Sequence, residues 1–298
     1  MPIMGKISAF AKLIRLPGVG TLGLIPVIGA LTMGAQGIYD LTLIFVIGAL
    51  AGIYGFLLND YVDVEVDRLV KDLQKKPLVS GEVSRKTALT ISIILILLSF
   101  LFIFLLWHGE TIHFYRFIGV LCIITAGILG TIYNIYGKKI VGSDFLVATS
   151  VSLVFLFGAL AYGKPKPITW IIFILTFNNI LYMNAIQGGL KDADHDYRKG
   201  VKNIALWSGL KIKKDDIFVP LSFKTFGMGI RIFSAVLLFV PFTFYHYEFY
   251  LWQMILLALL TVIFLILSIK FLNVKKFERD KIRRTIRIQS FLRYSLVP

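Results

Sequence analysis

Eight stretches of mostly apolar residues, nearly free of charge, recur along the chain, near positions 18–38, 41–58, 87–107, 117–136, 145–162, 168–187, 227–246 and 250–272. At a helical rise of about 1.5 Å per residue, segments of roughly 20 residues match the ~30 Å hydrocarbon layer of a bilayer. Lipid offers no hydrogen bonds, so each such segment must satisfy its own backbone, and the α-helix does this within one segment. The pattern predicts an all-α, polytopic membrane helix bundle with eight spans, forming a single integral-membrane domain over residues 1–298. Composition agrees: 57% of the 298 residues are hydrophobic and only 16% charged, more apolar area than one soluble core of this length hides. A further segment, 282–297, has apolar residues at helical spacing but also Arg283, Arg284, Arg287 and Arg293. It reads equally as an interfacial helix or as a ninth, C-terminal span.

The net charge of +15 first suggests nucleic acid. The distribution excludes it, because the bases sit in short clusters between long apolar runs, as juxtamembrane segments do. On alternate sides of the spans the Lys and Arg residues number 29 against 3. That asymmetry predicts a multi-pass protein of the cell membrane with its N-terminus, starting with Lys6, Lys12 and Arg15, and both large loops in the cytoplasm. The single cysteine, Cys122, excludes an intramolecular disulfide and a Cys-based zinc site. No cleavable signal peptide is evident, since the first apolar run is followed at once by others.

The acidic residues are more informative. Seven of the 17, six of them Asp, fall in two short clusters, each beginning where a span ends on the cytoplasmic side. The first is N-D-Y-V-D-V-E-V-D, with Asn59, Asp60, Asp63 and Asp67; the second is K-D-A-D-H-D, with Asp192, Asp194 and Asp196. On a helix continued past the span, Asn59, Asp63 and Asp67 lie at i, i+4, i+8 with Asp60 one step round, and Asp192 and Asp196 are again i, i+4. Like charges at that spacing repel by about 0.2–0.5 kcal/mol per pair, so a cation is expected beside them. Oxygen ligands with no cysteine favour Mg²⁺ or Mn²⁺ over zinc. Because Mg²⁺ commonly bridges one or two carboxylates to phosphate oxygens, the two clusters read as two metal-mediated clamps on one diphosphate, as against two solvated helix ends. Arg68, Lys75, Lys76, Lys138, Lys139, Lys191, Arg198 and Lys202 lie on the same side. They are either topology anchors or cations that stabilise a diphosphate leaving group.

With these residues in view, the sequence resembles the UbiA superfamily of intramembrane prenyltransferases. The family's first motif, N-D-x-x-D-x-x-x-D, stands here as Asn59-Asp60-x-x-Asp63-x-x-x-Asp67. Its R-P-x-x-S-G element is similar to Lys76-Pro77-Leu78-Val79-Ser80-Gly81, with the charge kept but the forked guanidinium lost. The second motif, D-x-x-x-D followed by glycine and a base, resembles Asp192 to Asp196 with Gly200 and Lys202, and a Tyr-to-Lys element resembles Tyr133 to Lys138. The resemblance covers roughly residues 10–275 and is specific because the two acidic motifs occur together at the ends of spans two and six. It implies nine helices around a central cavity open sideways to lipid, with both motifs at its cytoplasmic end.

It further implies that two Mg²⁺ ions, or Mn²⁺, are held by Asp60, Asp63, Asp67, Asp192, Asp194 and Asp196. Asn59, Arg68, Lys76, Tyr133, Lys138 and Lys202 then bind the diphosphate of an isoprenyl donor such as geranylgeranyl diphosphate. The implied reaction ionises the donor to an allylic cation, releases diphosphate and alkylates a lipophilic or aromatic acceptor within the membrane lipids. The NDYVDVEVDR string is similar to digeranylgeranylglyceryl phosphate synthases; an aromatic acceptor for quinone synthesis is the next reading.

Other features fit this expectation. Tyr54, Phe56, Tyr133, Phe173, Phe177 and Tyr182 are candidate aromatic walls for a cation, or simple packing. Asn178, Asn179, Asn184 and Gln187 either line the cavity or hydrogen-bond between helices, and Gly188-Gly189 is expected to bend the sixth span. The 61–86 and 197–225 loops are expected to act as lids. His195 is more often a bystander than a base, and His108, His113 and His246 fall on the opposite face. Two rivals remain. A CDP-alcohol phosphotransferase needs a D-G-x-x-A-R string that does not occur here, and a cation-coupled transporter needs midspan carboxylates, whereas both clusters lie at one face.

Overall fold

The computed structural model describes residues 11, 13–68, 73–109, 113–213, 216–245, 248 and 250–296; Lys6, Lys12, His246 and residue 297 lie outside them. All eight apolar runs are helical. They form α1 (Leu16–Thr32), α2 (Ile38–Asp67), α4 (Arg85–Leu106), α5 (Phe114–Tyr136), α6 (Asp144–Leu160), α7 (Pro167–Leu181), α10 (Leu221–Phe244) and α11 (Leu251–Leu272), with a short α3 (Pro77–Ser80) between α2 and α4. Among the described residues six helices are long and apolar enough to cross a membrane, while Gly18–Thr32 and Asp144–Leu160 are shorter. Lipid-facing surface is evident on α4, where Leu97 and Phe104 are each more than 60% exposed.

The chain divides into two compact units, one of residues 1–135 with 150–169 and the other of residues 136–149 with 170–298. In the first, α1 packs on α2 and on α6 through glycines. A Cβ at Gly29 would strike the carbonyl oxygen of Phe155, and one at Gly158 that of Pro26. Gly48 lies against Pro26 and Gly52 against Leu22. Small residues let these helices touch backbone to backbone, the usual means of association where the hydrophobic effect between helices is absent. Polar pairs add to it: Tyr54 Oη and Thr131 Oγ1 lie 2.7 Å apart, Asn134 Nδ2 donates to the Gly55 carbonyl at 3.2 Å, and Ser150 Oγ donates to the Ala126 carbonyl at 2.7 Å.

In the second unit α7 runs into a π-helical segment, Tyr182–Gly188, and then a helical turn, Gly189–Lys191. There follow α8 (Ala193–Arg198), α9 (Ile204–Trp207), an antiparallel hairpin of β1 (Lys211–Lys213) and β2 (Asp216–Phe218), and α12 (Arg279–Leu296) after α11. The hairpin places the two short strands outside the all-α expectation. Tyr182, Ile186, Leu190, Phe223 and Leu272 are almost wholly buried at the centre of this unit, and Ala205, Leu210, Ile217 and Val219 join the same core. The 197–225 region is therefore anchored rather than a free polar lid; the Ile217 N–H donates to the Lys275 carbonyl at 3.0 Å. Gly188 and Gly189 keep right-handed helical backbone angles, so the irregularity in the sixth span is the π-segment ahead of them, where an i→i+5 ring inserts an extra residue into the turn.

The C-terminal segment resolves as a packed helix. On α12, Ile282, Gln289 and Arg293 are buried, and Ile286 packs on the core. This i, i+4, i+7, i+11 stripe faces protein, while Arg283, Arg284 and Arg287 stay exposed.

Candidate functional site

Helix α2 has 30 residues, about 45 Å at the usual rise, which exceeds a ~30 Å hydrocarbon layer. Its final turns, Asn59 to Asp67, thus reach beyond the apolar span. Asp60, Asp63 and Asp67 occupy one buried face there, at 4%, 7% and 3% exposure. Buried carboxylates are costly unless paired, and here cations are supplied from two directions. Arg15 Nη2 and Lys76 Nζ both lie 2.7 Å from Asp60 Oδ1, and Lys76 Nζ is also 2.7 Å from Asp67 Oδ2. Burial acts to lower the Lys76 pKa, but the attraction of Asp60 and the hydrogen bonds to Asp60 and Asp67 outweigh it and hold the amine above its ordinary value. Lys76 sits just ahead of α3, whose Pro77 fills the first helical position and whose Gly81 closes the turn at φ 81°.

Arg15 was read from sequence only as part of an N-terminal basic cluster. Its guanidinium also stacks over Phe56, 5.0 Å from the ring centroid. The signal that could have found it is its position immediately ahead of an apolar span that starts on the motif's side. Arg68 goes the other way: its Nη1 pairs at 3.1 Å with Glu65, which Arg85 also contacts, on the exposed face of the chain. Asn59 and Tyr133 are half-buried. Tyr54, one candidate wall, is committed to Thr131.

In the second unit Asp192 links the Gly189–Lys191 turn to α8, and the Asp196 N–H donates to the Asp192 carbonyl at 2.9 Å. Asp196 Oδ2 accepts from Asn203 Nδ2 at 2.7 Å, while Asn203 Oδ1 caps α9 by accepting from the Leu206 N–H at 2.8 Å. Burial first, then the negative charge of Asp192, push the Asp196 carboxyl up to about 6, against the opposing pull of Lys138, the Asn203 hydrogen bond and Lys199. Asp192 also has Lys191 Nζ at 3.1 Å. Asp194 is turned to Arg279 at the start of α12, with His195 Nδ1 at 3.9 Å. Lys138 and Lys202 are exposed, and the Lys202 N–H donates to the Lys138 carbonyl at 2.9 Å.

The amides of the sixth span are taken up locally. Asn178 Nδ2 donates to Ser234 at 3.1 Å, Gln187 Nε2 to Gln289 at 2.7 Å, Asn179 accepts from Arg231 at 3.4 Å, and Asn184 bonds back to Ile180 at 2.9 Å. Among the described residues no group of three or more His, Cys, Asp and Glu stands close enough to hold a metal ion. The donor chemistry nonetheless fits a hard divalent cation: one set of buried carboxylates is bridged by side-chain cations, and in the other the negative charge of Asp192 disfavours the ionised form of Asp196.

The profile of the UbiA prenyltransferase family matches residues 23–295. The chain belongs to this family. It is 31% identical over 219 residues to a 4-hydroxybenzoate octaprenyltransferase of Shewanella frigidimarina, covering 70% of this chain and 72% of that one. A 4-hydroxybenzoate octaprenyltransferase of Vibrio cholerae is 33% identical over 214 residues, or 68% and 70% of the two chains. Among solved structures, a digeranylgeranylglyceryl phosphate synthase superposes with a TM-score of 0.71 at 21% identity, over 98% of this chain and 96% of that one. A UbiA homologue from Archaeoglobus fulgidus, bound to DMAPP and Mg²⁺, superposes with a TM-score of 0.65 at 19% identity, over 97% and 98%. The UbiA chain described here is thus a multi-pass membrane prenyltransferase, and the two structures share its fold.

Proposed function

We propose that the chain, acting as one catalytic domain over residues 1–298, moves an isoprenyl group from a polyprenyl diphosphate to the ring of a lipophilic aromatic acid. The observation that carries this reading is the buried Asp60, Asp63 and Asp67 face with Lys76 and Arg15 drawn onto it. Carboxylates held in place by replaceable cations are suited to exchanging them for divalent ions when a diphosphate arrives. The 4-hydroxybenzoate octaprenyltransferase relatives support the acceptor class, and the Mg²⁺ and DMAPP of the Archaeoglobus fulgidus homologue support the donor and the metal.

In this scheme Asp60, Asp63 and Asp67 in one unit, and Asp192 and Asp196 in the other, hold two Mg²⁺ ions. When bound, the ions neutralise diphosphate oxygens and lower the barrier to C–O cleavage. Lys76, Lys138 and Lys202 place further positive charge where the leaving group gains it, with Asn59 and Tyr133 as hydrogen-bond donors. Asp194 contributes indirectly by fixing α8 to α12 through Arg279, and Arg68 serves the surface through Glu65. The C–O bond breaks with its electron pair leaving on diphosphate. The allylic cation is captured by a nucleophilic ring carbon, which then loses its proton. Apolar helix walls keep water from the cation. The excess of Lys and Arg on one side of the spans supports a cytoplasmic N-terminus and cytoplasmic motifs.

The test is product mass from purified protein given geranyl diphosphate and 4-hydroxybenzoate, with and without Mg²⁺. A prenylated benzoate that requires Mg²⁺, and vanishes in Asp63→Ala and Asp192→Ala, is expected. Product only with geranylgeranylglyceryl phosphate would move the acceptor to the ether-lipid class. Turnover retained in both variants would end the carboxylate assignment.

A further inference from the structure

Arg231 lies near the middle of α10, ten residues from its start, and is 2% exposed. The helix starts six residues ahead of the 227–246 apolar run, so Arg231 lies deeper in the span than the run suggests. A permanently charged guanidinium at that depth is costly without a counter-charge. Among the described residues no carboxylate pairs with it. Instead the Tyr182 and Phe264 rings sit 3.4 and 4.2 Å from its Cζ, Asn179 accepts from Nη1 at 3.4 Å, and the buried Nε has no hydrogen-bond partner.

A second buried base, Arg293 of α12, reaches the same cavity. The cavity lies wholly within the second unit, is partly open, has a volume of about 20 Å³, which suits a small polar head and not a whole organic acid, and adds Ser234, Thr261 and leucine side chains to its wall. Two guanidinium groups sharing one low-dielectric space repel each other. With rings against Arg231, an incoming group meets the edge of the guanidinium plane, the approach that suits a planar carboxylate accepting two parallel N–H bonds. The apolar body, for which the enclosed space has no room, trails out through the open side past leucine and phenylalanine side chains.

We propose that the second unit carries an additional intramembrane site, which binds the carboxylate head of an amphipathic organic acid between Arg231 and Arg293. The site is separate from the second acidic motif, because Tyr182 precedes Asp192 by ten residues, about 15 Å along a helix, farther than a benzoate-sized acid spans. Tyr182 also opens the π-segment that leads to Asp192, so an acid seated on Arg231 steadies the helix that carries the motif.

The test is thermal unfolding of the purified full chain in non-ionic detergent with oleate, benzoate, dioleoyl phosphatidate or chloride added separately. The expected result is stabilisation by oleate or benzoate, with the apparent Kd raised at least tenfold in Arg231→Gln and at least threefold in Arg293→Gln. A response to oleate identifies a membrane fatty acid and a response to benzoate alone a small aromatic acid. Each variant's unliganded transition reports its fold, and Arg293→Gln serves if Arg231→Gln does not fold. Equal shifts in wild type and both variants, no shift with either acid, or a shift produced as well by chloride or phosphatidate would overturn the proposal.

Discussion

The backbone N–H of Lys202 is hydrogen-bonded to the carbonyl of Lys138 at 2.9 Å. Two bases 64 positions apart, on the loops after α5 and after the second acidic motif, are thereby held at a fixed separation within one unit. Their side chains are exposed, so the main chain fixes where two flexible cationic stems start.

Lys138→Ala is expected to weaken donor binding by roughly threefold to tenfold, the range for an exposed cation facing a phosphate, with no change in thermal stability. Titration of geranyl diphosphate in the presence of Mg²⁺ reads this directly. Unchanged affinity would return Lys138 to a role in topology.

Asp60→Asn removes the carboxylate shared by Arg15 and Lys76. Lys76 keeps its pair with Asp67, and the Arg15 side chain, which loses this carboxylate, is 40% exposed and stays partly solvated. The cost is expected at about 1–3 kcal/mol, below the 3–5 of a fully buried pair. Denaturant or thermal unfolding in detergent measures it, and double substitution with Arg15→Met should recover part of the loss, since Lys76 keeps Asp67.

Gly158→Leu is expected to disrupt the contact of α6 with α1, because even a Cβ at this position collides with the Pro26 carbonyl. Overpacking of this kind costs about 1–3 kcal/mol or more. A lowered unfolding temperature, with Gly20→Ala, in open space, as the control, checks it.

Gln289→Leu leaves both polar ends of buried Gln187 without a partner, since Gln187 Oε1 already has none, and is expected to cost about 1–3 kcal/mol. Replacing both glutamines by leucine removes the unmet groups together and should restore stability to near wild type. A double-mutant cycle on unfolding midpoints tests the coupling.

What was legible in the sequence was what length and charge encode. Every apolar run became a helix, and the spacing of Asp60, Asp63 and Asp67 gave the buried face of α2. Less legible were features set by three-dimensional neighbours. Arg231 stands only four residues into the 227–246 run, where a lone base reads as belonging to the end of a span, but the helix starts six residues earlier, at Leu221, and carries it deeper. The hairpin Lys211–Phe218 is too short for an alternating pattern to register. Arg15 gained its role from Asp60, 45 residues away, and the diversion of Arg68 to Glu65 depends on which side of α2 each residue falls.

The π-helical segment Tyr182–Gly188 has a bearing on how the second motif is aimed. A π-turn amounts to one residue more than an α-helix needs, and each helical residue advances the azimuth by about 100°. Wound as ordinary α-helix with the same residues, the segment would carry Asp192 and Asp196 round by about that angle, whereas deleting one residue there, such as Ala185, would restore α-geometry with both acids near their present aim. The orientation of these acids is thus held by the winding of the helix upstream, in a stretch that contains no charge at all.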